Sequence, residues 1–206
     1  METLRQPGKK AGFGCGQVHP GDANLGKSQL TRPRADARQQ ERTIELTAVE
    51  HHAPIVGSTL SWDSEDATRA FADSLARKPA LDGAFIALHG DLGAGKTTFV
   101  RHLLRALGAE GRIKSPTYAV VEPYELPRFP AWHFDFYRFD DPREWEDAGL
   151  RDIFAGPGVK LAEWPEKAQA VLPAADLDLH IALAADGTTR TVTLQARTPR
   201  GAELLR

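Results

Sequence analysis

The sequence lacks most of the features that would place it in a specialised class. Cysteine occurs once, as Cys15, which excludes a disulfide framework and a zinc site built on cysteines. No apolar run approaches the ~18 residues that a membrane-spanning helix requires. Neither sign of charge dominates, because 26 Lys and Arg face 28 Asp and Glu for a formal net charge of -2. A dedicated nucleic-acid binder usually carries a clear basic excess, so this balance argues against that class while leaving room for a local basic patch.

The charge that is present changes along the chain. Residues 1–50 carry eight Lys and Arg against six Asp and Glu, a net of +2, and the other 156 residues carry 18 against 22, a net of -4. Apolar residues are scattered through residues 1 to about 41 without a helical or strand period. We predict that residues 1–56 form a disordered or poorly ordered extension and that residues 57–206 form one domain. The extension lacks the apolar segment of about 7–15 residues that a secretory signal contains, so we expect a cytoplasmic location.

Regular periods appear mainly in the second region. A cap at Asp63 or Ser64, followed by apolar residues at helical spacing, predicts a helix through about Arg77. The continuous apolar run at 84–88 predicts a buried strand, and the helix after it stops at Gly108. Further strands are predicted at residues 43–46, 118–124, 131–137, 159–162, 177–183 and 189–194. Hairpin-like turns are predicted around 125–130 and at Asp-Gly 186–187. A short acidic helix is predicted to begin at Pro142.

The buried strand leads into a complete phosphate-binding motif, G-x-x-x-x-G-K-[ST], and an amphipathic helix follows it. Glycines let the backbone wrap closely around a phosphate, and the helix N-terminus faces its negative charge. Lys96 is expected to reach the β- and γ-phosphates and the Thr97 hydroxyl to bind Mg²⁺. A glycine-rich turn with a chance lysine would lack this strand and helix. We therefore expect nucleotide contacts from Gly90, Asp91, Gly93, Ala94, Gly95, Lys96, Thr97 and Thr98.

The motif fixes the expected fold class. Strand, phosphate loop and helix at the front, with hairpins behind, are typical of an α/β fold. We predict a P-loop NTPase-like single domain with a mixed central sheet flanked by helices.

A P-loop needs a carboxylate for its magnesium, usually at the end of a neighbouring strand. Glu163 follows a short apolar run, and Asp135 shares one face of its strand with His133 and Tyr137 by period-2 alternation. Either acid could instead be an exposed ion-pair partner. The residues alone leave this choice open.

The nucleotide and the loops around it are less well defined by the residues. No N/T-K-x-D motif for guanine occurs, so ATP is favoured. Asp91 either orients a water or is a solvated loop residue. Thr117 lies in a loop that could reach the γ-phosphate, as switch loops do, or simply starts a strand. Arg138 and Arg151 either act on the phosphates or pair with nearby acids.

Five motifs in one order resemble the TsaE family, bacterial ATPases of the tRNA threonylcarbamoyladenosine pathway. The resemblance covers about residues 61–194, and the motifs are the P-loop, Lys-Ser-Pro-Thr-Tyr at 114–118, Val-Glu-Pro-Tyr at 121–124, His-Phe-Asp-Phe-Tyr-Arg at 133–138 and Glu-Trp-Pro-Glu at 163–166. In the family, an arginine often follows the late turn glycine. Here Thr188 follows Gly187, and Arg190 comes two residues later.

The resemblance implies a small ATPase that works with TsaB and TsaD, and with tRNA only indirectly through that complex. It implies that Thr97 and Glu163 hold Mg²⁺, that Asp135 is essential near the γ-phosphate, and that Trp164 lies beside the site. Lys96, Asp135 and Glu163 are then the expected catalytic residues. An early nucleotide-binding segment corresponds to residues 61–68 and ends at Thr68.

Two other functions are compatible with a P-loop. A small-molecule kinase usually carries a lid with clustered arginines, and residues 165–185 contain no arginine. A nucleotide-sensing adaptor would bind ATP and hardly hydrolyse it, and the residues alone do not separate it from a slow ATPase.

Overall fold

A seven-stranded mixed sheet forms the centre of the computed structural model, which describes residues 55–140, 145 and 149–206. The strands are β1 Val56–Trp62, β2 Phe85–His89, β3 Val121–Tyr124, β4 Ala131–Asp135, β5 Val159–Glu163, β6 Leu177–Leu183 and β7 Arg190–Ala196. The helices are α1 Glu65–Ala76, α2 Lys96–Ala106, α3 Leu150–Ala155 and α4 Pro199–Leu204, and short 3₁₀ turns cover Pro79–Leu81 and Pro165–Ala168.

The strand order is β1-β7-β6-β2-β5-β4-β3. The four central strands, β6, β2, β5 and β4, run parallel, and antiparallel pairs close both sides. The carboxyl ends of the parallel strands therefore meet at one edge, where ligands bind in open α/β sheets. Leu88 and Asp135 both pair with Glu163 there, so β2, β5 and β4 deliver their last residues side by side. The predicted α/β class with a mixed sheet is confirmed.

Each face of the sheet carries its own apolar core. Helices α1 and α2 cover one face, where Trp62 stacks on Phe99 with ring centroids 5.8 Å apart and Phe71 packs against both. On the other face, Phe134 and Phe154 pack at 4.8 Å over the same strands. Fully covered central strands explain why β2 reads as a continuous apolar run, and all five residues of β5 are buried although Lys160 and Glu163 are among them.

Helix α1 shows how local sequence sets an element. Ser64 is its N-cap, and its side chain accepts a hydrogen bond from the amide of Ala67 at 3.2 Å. Glu65 and Asp66 in the first turn complement the helix dipole. Of the two caps that the sequence allowed, the structure uses Ser64.

Several predicted boundaries are wrong. The predicted strand at 118–124 begins only at Val121, because Thr117–Val120 forms a turn in which the amide of Val120 bonds the carbonyl of Pro116 at 2.8 Å. The strand predicted at 131–137 ends at Asp135. Strand β1 and helix α4 were not predicted, since β1 is mostly exposed and has no clear alternation and α4 spans only six residues.

Other predictions lie outside the described residues. They include the strand at 43–46 and nearly all of the acidic helix that Pro142 opens. Residues 1–54 of the predicted extension at 1–56 also lie outside the described residues, so the extension stays a prediction. Within the described residues, no helix combines the length and the apolarity that crossing a membrane would need.

Candidate functional site

The P-loop connects the end of β2 to the start of α2, and its glycines have the backbone that the motif predicts. Gly90, Gly93 and Gly95 adopt φ values of 134°, 81° and 114°, which L side chains rarely tolerate. A Cβ on Gly90 would lie 2.1 Å from the carbonyl oxygen of Ile181, so this position also requires glycine for space. A Cβ on Gly93 would meet nothing within 4 Å, which leaves the loop open on that side.

Lys96 closes this loop from within. Its Nζ donates hydrogen bonds to the carbonyl oxygens of Gly90 at 2.5 Å and Asp91 at 3.0 Å, and it lies 3.8 Å from the ring centroid of Trp164. The residue is only 4% exposed, and burial lowers the pKa of its amine although Glu163 and other nearby carboxylates oppose that shift. The ammonium is thus held inside the loop by two carbonyl oxygens and the Trp164 ring, with carboxylates nearby. The Asp91 side chain, by contrast, points to solvent, as the simpler sequence interpretation had it.

Thr97, Glu163 and His133 form the next layer. The Thr97 hydroxyl lies 2.8 and 2.9 Å from the two carboxylate oxygens of Glu163, to which it donates. His133 Nε2 donates to Glu163 Oε1 at 2.9 Å, and both side chains are buried, at 0% and 3% exposure. Since His133 lies opposite Leu161 in the neighbouring strand, the sheet register brings it to the glutamate. The sequence placed His133 on the polar face without giving it this partner.

Asp135 occupies the adjacent strand end and holds a second loop. Its Oδ2 accepts hydrogen bonds from the hydroxyls of Ser115 and, at 2.8 Å, of Thr117, and its Oδ1 accepts from the amide of Tyr137 at 2.9 Å. Asp135 is 4% exposed. Ser115 was not among the predicted site residues, although it belongs to the motif at 114–118.

Two non-glycine residues beside the site have left-handed backbones. Val120 has φ 64° and Trp164 has φ 58°. Such conformations cost on the order of 1–3 kcal/mol and persist where surrounding contacts impose them. Here Val120 accepts from the amide of Asp135 at 2.9 Å, and Trp164 follows Glu163 directly and stacks on Lys96. Both strained residues therefore fix the direction of an acidic strand end.

A cavity of about 110 Å³ lies beside the P-loop, and neither Asp135 nor Glu163 lines it. It brings together residues from β1, α1, the loop, α2 and β7, which are Trp62, Ser64, Glu65, Thr68, Ala94, Gly95, Thr98 and Arg190. Thr68 and Thr98, which were predicted as nucleotide contacts from separate segments, thus line the same cavity. Trp62 lies in the early segment 61–68 that the resemblance assigned to nucleotide binding, and Arg190 had been assigned no role. The sequence did not predict that they would meet, because the strands that carry them are brought together only by the sheet.

The donor set fits a magnesium–nucleotide group. A threonine hydroxyl and carboxylate oxygens are the hard ligands that Mg²⁺ prefers, and the open glycine loop at a helix N-terminus suits phosphate. Asp135, Glu163 and Lys96 in their usual charge states sum to one negative charge, which a divalent cation would offset. The structure thus brings together the eight P-loop residues, Glu163 and Trp164, with Asp135 and Thr117 at the next strand end and Thr68 at the cavity.

The same residues fall within the part of the chain that matches known proteins. A family model described as threonylcarbamoyl adenosine biosynthesis protein TsaE matches residues 62–192. The tRNA threonylcarbamoyladenosine biosynthesis protein TsaE of Haemophilus influenzae is 40% identical over 137 residues, 66% of this chain and 85% of that protein. The Bacillus subtilis protein of the same name is 38% identical over 139 residues, with the same coverage of each chain.

A crystal structure of YdiB from Bacillus subtilis is similar to this fold, with a TM-score of 0.60 and 31% sequence identity. The match covers 73% of this chain and 93% of YdiB. The family match spans the P-loop, both acidic strand ends and most of the cavity lining. The chain belongs to the TsaE family.

Proposed function

We propose that this protein is a Mg²⁺-dependent ATPase that serves tRNA threonylcarbamoyladenosine biosynthesis, the process named in its relatives. The observation that carries the proposal is the buried contact between Thr97 of the P-loop and Glu163 at the end of the neighbouring strand. A glycine-rich turn without a nucleotide-binding function would not require a buried glutamate in contact with its threonine.

We expect the P-loop and the cavity to bind different parts of the nucleotide. Backbone amides of residues 90–97 and the Lys96 ammonium would hold the phosphates, and the 110 Å³ cavity that Thr68 lines would take the nucleoside end.

Thr97 and Glu163 would hold the metal. Mg²⁺ supplies neutralisation of the charge that builds up on the transferring phosphoryl group. Glu163 is fixed for this role by His133, which donates to one carboxylate oxygen and leaves the acid in one orientation. Lys96 would stabilise the same charge from the opposite side of the loop.

Asp135 would orient the attacking water. Its two oxygens already accept three hydrogen bonds, from Ser115, Thr117 and the amide of Tyr137, which hold the carboxylate in position. A carboxylate so held is a suitable acceptor for a water proton next to the γ-phosphate. Because Ser115 and Thr117 donate to Asp135, their positions would then depend on whether the space next to the γ-phosphate is occupied.

Hydrolysis would drive or reset a complex rather than modify the tRNA directly. The net charge of -2 provides no general attraction for tRNA, which favours partners that present it. We propose TsaB and TsaD homologues as those partners, and the cytoplasm as the location.

The test measures ATP hydrolysis by the full chain with and without Mg²⁺ and with and without TsaB and TsaD. Lys96→Ala and Glu163→Gln should each reduce turnover by at least about 10²-fold, since each removes charge stabilisation in the transition state. Glu203→Gln, an exposed acid on α4, is the matched control and should retain full turnover. Undiminished hydrolysis in Glu163→Gln would contradict the proposed site.

Two outcomes would replace the proposal. ATP binding without any partner-stimulated hydrolysis would identify a nucleotide-sensing adaptor. Transfer of the phosphoryl group to a metabolite instead of water would identify a small-molecule kinase.

A further inference from the structure

A second group of polar side chains lies on the opposite face of the sheet from α2. His89 ends β2 on the face that also carries Phe85 and Ala87, and it pairs in register with His180 of β6. We call His89, Glu166, Asp178, His180 and Arg197 the histidine cluster. It borders a cavity of about 310 Å³ whose remaining lining is mostly apolar. None of these residues belongs to the proposed nucleotide site.

We propose that His89, Asp178 and His180 bind a divalent transition-metal ion of the zinc class. Each residue offers one ligand atom, and the three atoms lie within 4.8 Å of one another. His89 Nε2 and Asp178 Oδ1 are 3.2 Å apart, close to the ~3.3 Å that separates ligands around tetrahedral zinc with bonds of about 2.0–2.1 Å.

His180 provides an independent indication. Its Nε2 is buried and has no hydrogen-bond partner within the described residues, and its ring stacks on His89 with centroids 4.3 Å apart. A buried polar atom without a partner costs free energy. A metal ion bound to His180 Nε2 would give this nitrogen a partner.

The neighbours of the ligands match those found around zinc. His89 Nδ1 lies 3.5 Å from a carboxylate oxygen of Glu166, and Asp178 Oδ2 accepts from Arg197 Nε at 2.7 Å. Outer carboxylates and hydrogen-bond donors of this kind fix the ligand orientation in metal sites.

The donor types distinguish this site from the magnesium site. Two imidazoles and one carboxylate suit Zn²⁺, Co²⁺ or Ni²⁺ better than Mg²⁺, which prefers oxygen ligands. Three protein ligands leave a coordination position, and the 310 Å³ cavity gives water or a small ligand access to it.

The experiment titrates the chelator-stripped full chain with ZnCl₂ in competition with a chromophoric chelator. One zinc should bind per chain, and His180→Ala should weaken it by at least about 100-fold. Glu166→Gln should weaken it by roughly 10–100-fold, the usual loss for an outer partner. Equal affinity in the wild type and His180→Ala, or no zinc retained against the chelator, overturns the proposal.

Controls separate this site from other histidines and from the P-loop. His102→Ala, whose histidine pairs with Glu65 instead, and the double change His51→Ala and His52→Ala should leave zinc affinity unchanged. Glu163→Gln should also leave it unchanged, and a loss there would place the ion at the P-loop and overturn the proposal. Co²⁺ gives a second readout on the wild type, because intense visible bands indicate four-coordinate binding and their absence contradicts it. Zinc binding does not depend on ATP hydrolysis, so either proposal can fail alone.

Discussion

The carboxyl edge of the sheet carries histidine–carboxylate pairs on both faces, and the two differ in how they are covered. On the α2 face, His133 and Glu163 are 0% and 3% exposed beneath the P-loop helix. On the other face, His89 and Asp178 are 25% and 12% exposed, and Glu166 is 46% exposed, beside an open cavity. The buried pair has one ordered arrangement and presents an acid to Thr97. The exposed pair borders a cavity and lies beside His180, whose Nε2 has no hydrogen-bond partner among the described residues, and in the buried pair the same is true of His133 Nδ1.

Burial holds His133 and Glu163 in one geometry, which suits their role in the proposed hydrolysis. The greater exposure of His89 and Asp178 suits the proposed metal site, because an ion can enter and leave it. The two faces touch at Gly90, the residue after His89, whose tight approach to Ile181 of β6 leaves no space for a side chain. Changes at this junction should affect both faces.

The largest effect is expected for Gly90→Ala. The new Cβ would lie 2.1 Å from a backbone oxygen at a φ of 134°, so the free energy of unfolding should fall by about 4 kcal/mol. Gly93→Ala is the matched control, since its Cβ meets nothing within 4 Å and only the φ of 81° opposes it, for a loss of about 1–2 kcal/mol. Urea unfolding measures both, and equal losses would show that the two faces are not packed tightly at Gly90.

The next effect tests the buried face. Asp135→Asn keeps the shape of the side chain but removes its charge, so kcat for ATP should fall about 100-fold while KM changes little. Asp176→Asn, an acid at the start of β6 away from the P-loop, should retain kcat. A large rise in KM with an unchanged kcat would assign Asp135 to nucleotide binding instead of hydrolysis.

The smallest effect tests the open face by pH. Burial disfavours charge on His89, but hydrogen bonds to Asp178 and then Glu166 outweigh it and raise its pKa to about 9. The His180 ring stacks on His89, and Arg197 bonds Asp178. Because the unfolded pKa is about 6.5, the imidazolium adds stability that is complete below pH 6.5 and is lost as pH rises through 9.

Relative to His89→Gln, the wild type in EDTA should therefore be more stable at pH 6 than at pH 9.5. The change should be about 2 kcal/mol, reduced from the full shift because solvent reaches the pair. Denaturant unfolding at several pH values measures it. A stability difference that does not vary with pH would mean that His89 carries the same charge in both states.

The sequence alone predicted the P-loop with its flanking strand and helix, because glycine spacing and apolar runs are local signals. It also predicted the α/β class and the β6–β7 hairpin, whose turn residues Asp186 and Gly187 are adjacent. It could not choose between Asp135 and Glu163 without the family resemblance. Both acids prove to lie at neighbouring strand ends, one bonded to Thr97 and the other to Thr117.

Tertiary structure decided the rest. His133 reaches Glu163, Arg190 reaches the P-loop cavity, and His89 meets His180 only because the sheet order places β5, β7 and β6 beside strands distant in sequence. Residues 30 or more positions apart leave no periodic signal of their contact, since register is set by packing across the whole sheet. The local pattern therefore predicted a phosphate-binding loop, and the fold determined which side chains surround that loop.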